Sequence, residues 1–227
     1  MRLIFLLIAF VATRDAADPG VRRPASSTGS ESLLAVAPRP RRGASWADAL
    51  DAVDVTNVLT RASARIRLYA DDGSIDAGAL DAFARVSSPD PENVHALASR
   101  LVQLVVKAAH HFERDVGGPK RTGPPTRVRI VSAWRAHAGR HGTGEALDFK
   151  LDGVRAAQVA AYLRQLARVG VGVYTNARTQ FVHLDVRDES YHWVDASPPG
   201  VKWREAMLRD PGAKKRDAAW TPADDLP

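Results

Sequence analysis

The hydrophobic period of this chain changes once, at a run of glycines and prolines. Before that run, Val94, Leu97, Leu101, Leu104, Val105, Ala108 and Phe112 recur at spacings of three and four. This is the stripe an amphipathic helix lays on a core, and it predicts a helix over 91–114. Residues 117–125 then hold three Gly and three Pro. After them the period is two: 128–134, 146–151, 171–174 and 181–186 alternate or run apolar as strands do. A further helix, 155–169, lies between the second and third of these, with Val159, Tyr162, Leu163 and Leu166 on one side. Asn176 to Gln180 is a turn, so the last two strands should form a hairpin. The expectation is an α+β domain over 46–195: a small, mainly antiparallel sheet with helices packed on one face.

Upstream, 46–60 reads as a short helix, Ile66 to Tyr69 alternates toward an Asp71-Asp72-Gly73 turn, and 76–86 reads as a helix. Ser88-Pro89-Asp90-Pro91 marks the next boundary, with Asp90 as N-cap and Pro91 at the first helical position. Met1-Arg2 precedes ten apolar residues, 3–12. That is the length of a signal-peptide core and falls short of the about 20 residues that span a bilayer. Residues 1–20 therefore read as a signal peptide or an N-terminal anchor, and the protein is expected to be periplasmic or secreted. Residues 21–45, rich in Pro, Ser and Arg, read as a linker. Residues 196–227 read as a polar, frayed tail.

The chain carries 32 Lys+Arg against 26 Asp+Glu, with a pI near 10. Such a balance invites a nucleic-acid partner. The placement of the charge argues against one. Residues 21–45 hold five arginines and one glutamate, whereas 46–195 hold 19 basic and 18 acidic groups. The body is nearly neutral, and the basic stretch suits a tether to an anionic envelope surface. Cysteine is absent, which excludes disulfides, thiolate metal sites and cysteine nucleophiles. Any metal must be held by His and carboxylate.

Two short segments hold such residues: Arg140-His141-Gly142-Thr143-Gly144-Glu145-Ala146-Leu147-Asp148-Phe149 and Gln180-Phe181-Val182-His183-Leu184-Asp185. Asp148 lies between Leu147 and Phe149, and His183 between Val182 and Leu184. Successive strand residues point to opposite faces. If the apolar neighbours face the core, Asp148 and His183 line the other face of one sheet. His141 can reach that face from a glycine-rich loop that feeds the Asp148 strand. Two imidazoles and one carboxylate make a three-ligand zinc site with a fourth position open, the arrangement of a catalytic rather than a structural centre.

Ser132-Ala133-Trp134-Arg135, the His141 to Asp148 segment, Gly170-Val171-Gly172-Val173-Tyr174, Phe181-Val182-His183-Leu184-Asp185 and Trp193 occur in that order. Together they resemble the M15-type zinc peptidases of the bacterial cell wall, most closely the YcbK-like branch of murein endopeptidases. The resemblance spans about 65–193 and is dense over 128–193. It implies that His141, Asp148 and His183 bind zinc. It also implies that Arg135 holds a substrate carbonyl or carboxylate, and that the substrate is a stem peptide or cross-link of peptidoglycan. The chain departs from the pattern in three places. Only five residues separate Arg135 from His141, Arg140 stands where Ser is common, and Trp134 replaces a Tyr. The short loop implies a more open cleft.

The general base is not fixed by the motif. Relatives place an acid three residues before the final His or a His two before it, and here those positions are Gln180 and Phe181. Asp185 shares a strand face with His183. It could accept a proton from water or orient His183 through its second nitrogen. His137, Glu145 and His192 are the other candidates, while His110 and His111 belong to the long helix as packing or solvated residues. The expected protein is a monomeric zinc peptidase of peptidoglycan. The rivals are a non-catalytic, zinc-containing wall-binding module and a nucleic-acid binder.

Overall fold

The computed structural model describes residues 46–113, 126–198, 201 and 206–227. These all belong to the unit Leu34–Pro227. The export segment 3–12, the linker 21–45 and the loop 117–125 lie outside the described residues.

The strands are Val53–Asn57 (β1), Ser63–Ile66 (β2), Val128–Ser132 (β3), Ala146–Leu151 (β4), Val169–Tyr174 (β5), Val182–Val186 (β6), Tyr191–Asp195 (β7) and Ala206–Leu208 (β8). Among the described residues they form one sheet in the order β2-β1-β3-β4-β6-β5-β7-β8. The pairs β1/β3 and β5/β7 are parallel and the rest antiparallel. The fold class is thus α+β with a mostly antiparallel sheet, larger than the four segments the period picked out. The hairpin is present: β5 and β6 pair, and Asn176 closes the turn through its carbonyl, which accepts from Gln180 N at 3.1 Å.

The helices are Ala77–Ser87 (α1), Ser99–Glu113 (α2), Ala156–Leu163 (α3) and Ala213–Ala219 (α4). Asp76 caps α1, its carboxylate accepting from Ala79 N at 2.6 Å. α2 lays Leu101, Leu104, Val105 and Ala108 on the sheet, and α3 adds Val159 and Leu163. Against them stand Ile130, Leu147, Phe149, Val171, Val182 and Leu184, all fully buried. Each such side chain contributes about 1.5–3 kcal/mol, so this seam dominates the stability of the domain.

Four local expectations are corrected. Residues 46–60 give a 3-10 turn, Trp46–Ala49, and then β1, because Val53 and Val55 alternate into the core. α2 begins at Ser99 rather than Pro91. Asp90 instead closes a turn, its Oδ1 accepting from Glu92 N at 3.0 Å. Residues 94–98 have another partner: Gly144 O accepts from Ala98 N at 2.9 Å, and the His95 ring stacks on Trp134 at 3.5 Å. α3 ends at Leu163, and turns carry the chain to Val169.

The C-terminal stretch is the fourth. Where fraying was expected, β8 pairs with β7, α4 follows, and a 3-10 turn spans Pro222–Asp225. The buried Asp225 carboxylate accepts from Arg100 Nε at 2.7 Å, and Arg100 and Arg168 lie on the Trp220 ring at 4.6 and 4.8 Å. Asp217 accepts from Arg168 N at 2.6 Å and Ser190 N at 2.7 Å. The polar composition of this tail is spent on charged partners on α2 and beside β5 and β7, which a hydrophobic period cannot show.

Candidate metal centre

The pairing register builds the site. Asp148 stands opposite His183, and Ala146 opposite Asp185. Residues directly paired across a sheet share a face. Leu147, Phe149, Val182 and Leu184 take the helix side, so Asp148, His183 and Asp185 take the other, as alternation predicts. On β5 the partners of Asp185 and His183 are Gly170 and Gly172. A Cβ on Gly170 would strike the Asp185 carboxylate and the Arg187 guanidinium, and one on Gly172 would strike the Trp193 ring. The two glycines therefore clear floor space for the groups that back His183.

His141 arrives from the loop after β3. That loop leaves the sheet beyond Ser132 and folds through a 3-10 turn, Gly139–His141. Trp134 Nε1 donates to Gly142 O at 3.0 Å. Arg140 donates to Val186 O at 2.8 Å and pairs with Glu145 at 3.0 Å, pinning the loop to β6. Gly144 sits at φ +74°, where a side chain would meet Ala96 O, and this closes the loop against 94–98. Arg140, which departs from the family pattern, is thus a clamp.

The three expected ligands converge. His141 Nε2, Asp148 Oδ1 and His183 Nδ1 lie within 4.8 Å of one another, all on buried residues. The His141 Nε2–His183 Nδ1 distance is 3.2 Å, His141 Nε2–Asp148 Oδ1 3.5 Å and His183 Nδ1–Asp148 Oδ1 2.8 Å. Each imidazole is held from behind. His141 Nδ1 donates to Ala133 O at 2.5 Å, which leaves Nε2 as the lone-pair nitrogen. His183 Nε2 donates to Asp185 Oδ2 at 3.0 Å, which points Nδ1 into the cluster. Arg187 braces Asp185 through both oxygens, at 2.6 and 2.5 Å.

The charges are strongly coupled. Burial pushes the Asp148 carboxyl up, but the His141 and His183 imidazoles beside it outweigh burial and hold it at about 2. Burial pushes His183 down, but Asp148 and Asp185 outweigh it and raise it to about 9. The Asp185 carboxyl, raised by burial, is lowered overall by His183 and Arg187.

Around the cluster, Arg135 Nη2 lies 3.5 Å from Asp148 Oδ2, with half its side chain in solvent. Trp193 packs beside His183, ring centroids 5.0 Å apart. His137 is exposed at φ +56°. Glu145 is held by Arg140 and by Thr143 Oγ1 at 2.9 Å. His192 stands in register with Val171 on the helix side, its Nε2 3.3 Å from Asp210, so the sheet separates it from the cluster. His111 stacks on Tyr162 at 3.8 Å and His110 faces Glu113 at 3.5 Å, both away from the site. Arg187 and the floor glycines had a signal in the sequence. Gly170/Gly172 and Asp185/Arg187 are each spaced by two, the spacing that keeps residues on one strand face.

The donor set fits a metal. Three ligands about 2.1 Å from a tetrahedral ion lie about 3.4 Å apart, and the three donor–donor distances bracket that value. An α+β domain with a three-donor His-Asp-His cluster on its sheet face has the arrangement that a metallopeptidase requires. Comparison with known families matches residues 47–193 to the one described as Peptidoglycan L,D-endopeptidase MepK, Peptidase_M15_2. The chain belongs to that M15 peptidoglycan peptidase family. No curated protein and no solved structure matches it in the same comparison.

Proposed function

We propose that the chain is a zinc-dependent peptidase that hydrolyses amide bonds in peptidoglycan stem peptides or cross-links. The carrying observation is the convergence of three donor atoms at ligand separations, each imidazole held from behind through its other ring nitrogen. Bound zinc supplies a Lewis acid that brings the pKa of water toward 7 and polarises a carbonyl. His141, Asp148 and His183 hold it. Arg135, half in solvent beside Asp148, offers a fixed positive charge for a substrate carbonyl or carboxylate. Of the two roles open to Asp185, its geometry favours the orienting one: it is 1% exposed and its oxygens are engaged by His183 and Arg187. The family description makes an L,D bond within a cross-link the first to test.

The same reading places the protein in the periplasm or outside the cell, as a monomer, exported or anchored by 3–12 and tethered by 21–45. A second reading, a zinc-containing wall-binding module without hydrolysis, is favoured by Gln180 and Phe181 at the positions where relatives carry their base. Digestion of purified sacculi by the full chain, with mass spectrometry of the products and a chelator control, separates the two. Chelator-sensitive release of peptide fragments supports the peptidase. Bound zinc with no products supports the module. His141→Ala, Asp148→Ala and His183→Ala should each abolish both metal and products. Full zinc occupancy in all three would overturn the site.

A further inference from the structure

A cavity of ≈ 470 Å³ opens at one end of the sheet, where β4 and β6 part beyond the Phe149–Val182 pair. Its walls carry four cations: Arg129 of β3, Lys150 of β4, Arg155 at the start of α3 and Arg178 in the β5–β6 turn. Asp152 is its one acidic lining residue. Arg129 faces that carboxylate at 3.7 Å, and Arg155 Nε donates to Gln158 Oε1 at 3.1 Å. Among the described residues, Lys150 and Arg178 have no carboxylate partner.

No residue of the cluster lines the cavity, whose wall includes Ala156 and Val159 of α3, but part of that wall shares the cluster's sheet face. Lys150 is two residues beyond Asp148 on β4, and Phe181 two before His183, so both lie on the site's face of the sheet. The step is about 7 Å, which an extended peptide covers in two residues. Phe181, which lines the cavity, stacks on Tyr174 at 4.1 Å. Asn176 holds the turn that presents Arg178, its Oδ1 accepting from Arg178 N at 3.0 Å. Grouping like charges around a concavity raises the energy of the empty protein and concentrates anions there.

We propose that this cavity is a carboxylate subsite, taking a free carboxylate of the bound peptide about two residues from the scissile bond. Lys150 supplies a point charge and Arg178 a planar fork suited to two oxygens. The inference rests on the peptidase reading of the neighbouring cluster, and its test is built to fail separately from that reading.

The test uses the full, zinc-loaded chain and two synthetic cross-linked stem peptides that differ only in whether their free carboxylates are amidated. Wild type, Lys150→Gln and Arg178→Gln are compared in steady-state hydrolysis and in equilibrium binding. Each variant should raise KM for the free-carboxylate peptide about tenfold with kcat unchanged, and leave the amidated peptide unaffected. Binding should weaken by the same factor, with melting temperatures equal to wild type. Equal binding of the two peptides by wild type, or equal losses on both peptides, overturns the subsite. If wild type hydrolyses neither peptide yet binds the free-carboxylate form more tightly through Lys150 and Arg178, the subsite stands and the peptidase reading falls.

Discussion

Asp185 Oδ2 accepts from His183 Nε2 at 3.0 Å, on the far side of the imidazole from the atom that faces Asp148 and His141. The contact fixes the orientation of one proposed ligand, and Arg187 fixes the carboxylate in turn. An orienting carboxylate of this kind tunes a metal it does not touch.

Asp185→Asn should therefore keep the metal but hold it about 10–100-fold more weakly. Activity should recover at saturating zinc, because the defect lies in affinity. Chelator competition measures the first and a zinc titration of turnover the second. A general base would behave differently: activity would stay low at full zinc occupancy, and the acid limb of the pH–rate profile would vanish.

Much of this site was legible because strands report their faces. Asp148 and His183 among Leu and Val neighbours, with two glycines spaced by two on β5, already place a polar cluster on one side of a sheet. The start of α2 was not legible. The apolar stripe continues through Val94 and Leu97, yet the contact of Ala98 with Gly144 and the His95–Trp134 stack draw those residues to the His141 loop. β1 was hidden because only Val53 and Val55 of its five residues are apolar, and β7 because His192 and Asp195 interrupt its apolar run. The C-terminal elements were hidden because ion pairs, rather than apolar area, dock them.

The pKa of His183 makes the metal-free protein sensitive to alkali. Burial opposes its charge, but Asp148 and Asp185 raise it to about 9 in the folded state, against 6.5 unfolded. The folded state thus binds the extra proton between these values. Stability from this group is complete below pH 6.5 and is lost as pH rises toward 9. Melting temperatures of chelated protein should fall over that window. A metal bound through His183 would displace the same proton, so the apparent affinity for added zinc should rise about tenfold per pH unit and level off near pH 9. Differential scanning fluorimetry with and without chelator checks the first, and competition titrations the second. A flat profile in both would place the proton elsewhere.

Gly172→Ala tests the floor of the site. Its added methyl would occupy the space of the Trp193 ring, which is braced beside His183. The indole must move, or β5 must shift. Overpacking of this kind costs about 1–3 kcal/mol. The variant should melt several degrees lower and show altered Trp fluorescence on metal addition. Gly142→Ala, in the loop with no contact closer than 3.2 Å, should be milder. Equal melting of Gly172→Ala and wild type would show that Trp193 is free to yield.

The C-terminal strap should matter as much as a core side chain. Asp225 is 3% exposed and accepts from Arg100 on α2 and from Trp220 Nε1 at 3.2 Å. Removing its charge leaves Arg100 half-satisfied in a closed setting, since its remaining hydrogen bonds go to the carbonyls of Ala167 and Arg168. Breaking a buried pair from one side costs about 3–5 kcal/mol. The Arg100 side chain is 17% exposed, which brings the expected loss to the low end of that range. Asp225→Asn should therefore lower the denaturant midpoint with the m-value unchanged, while Asp224→Asn, at an exposed position of the same turn, should cost much less. Because α2 also backs β4 and β6, the loss should reach the metal centre only through global unfolding. Zinc affinity measured well below the melting temperature should equal that of wild type.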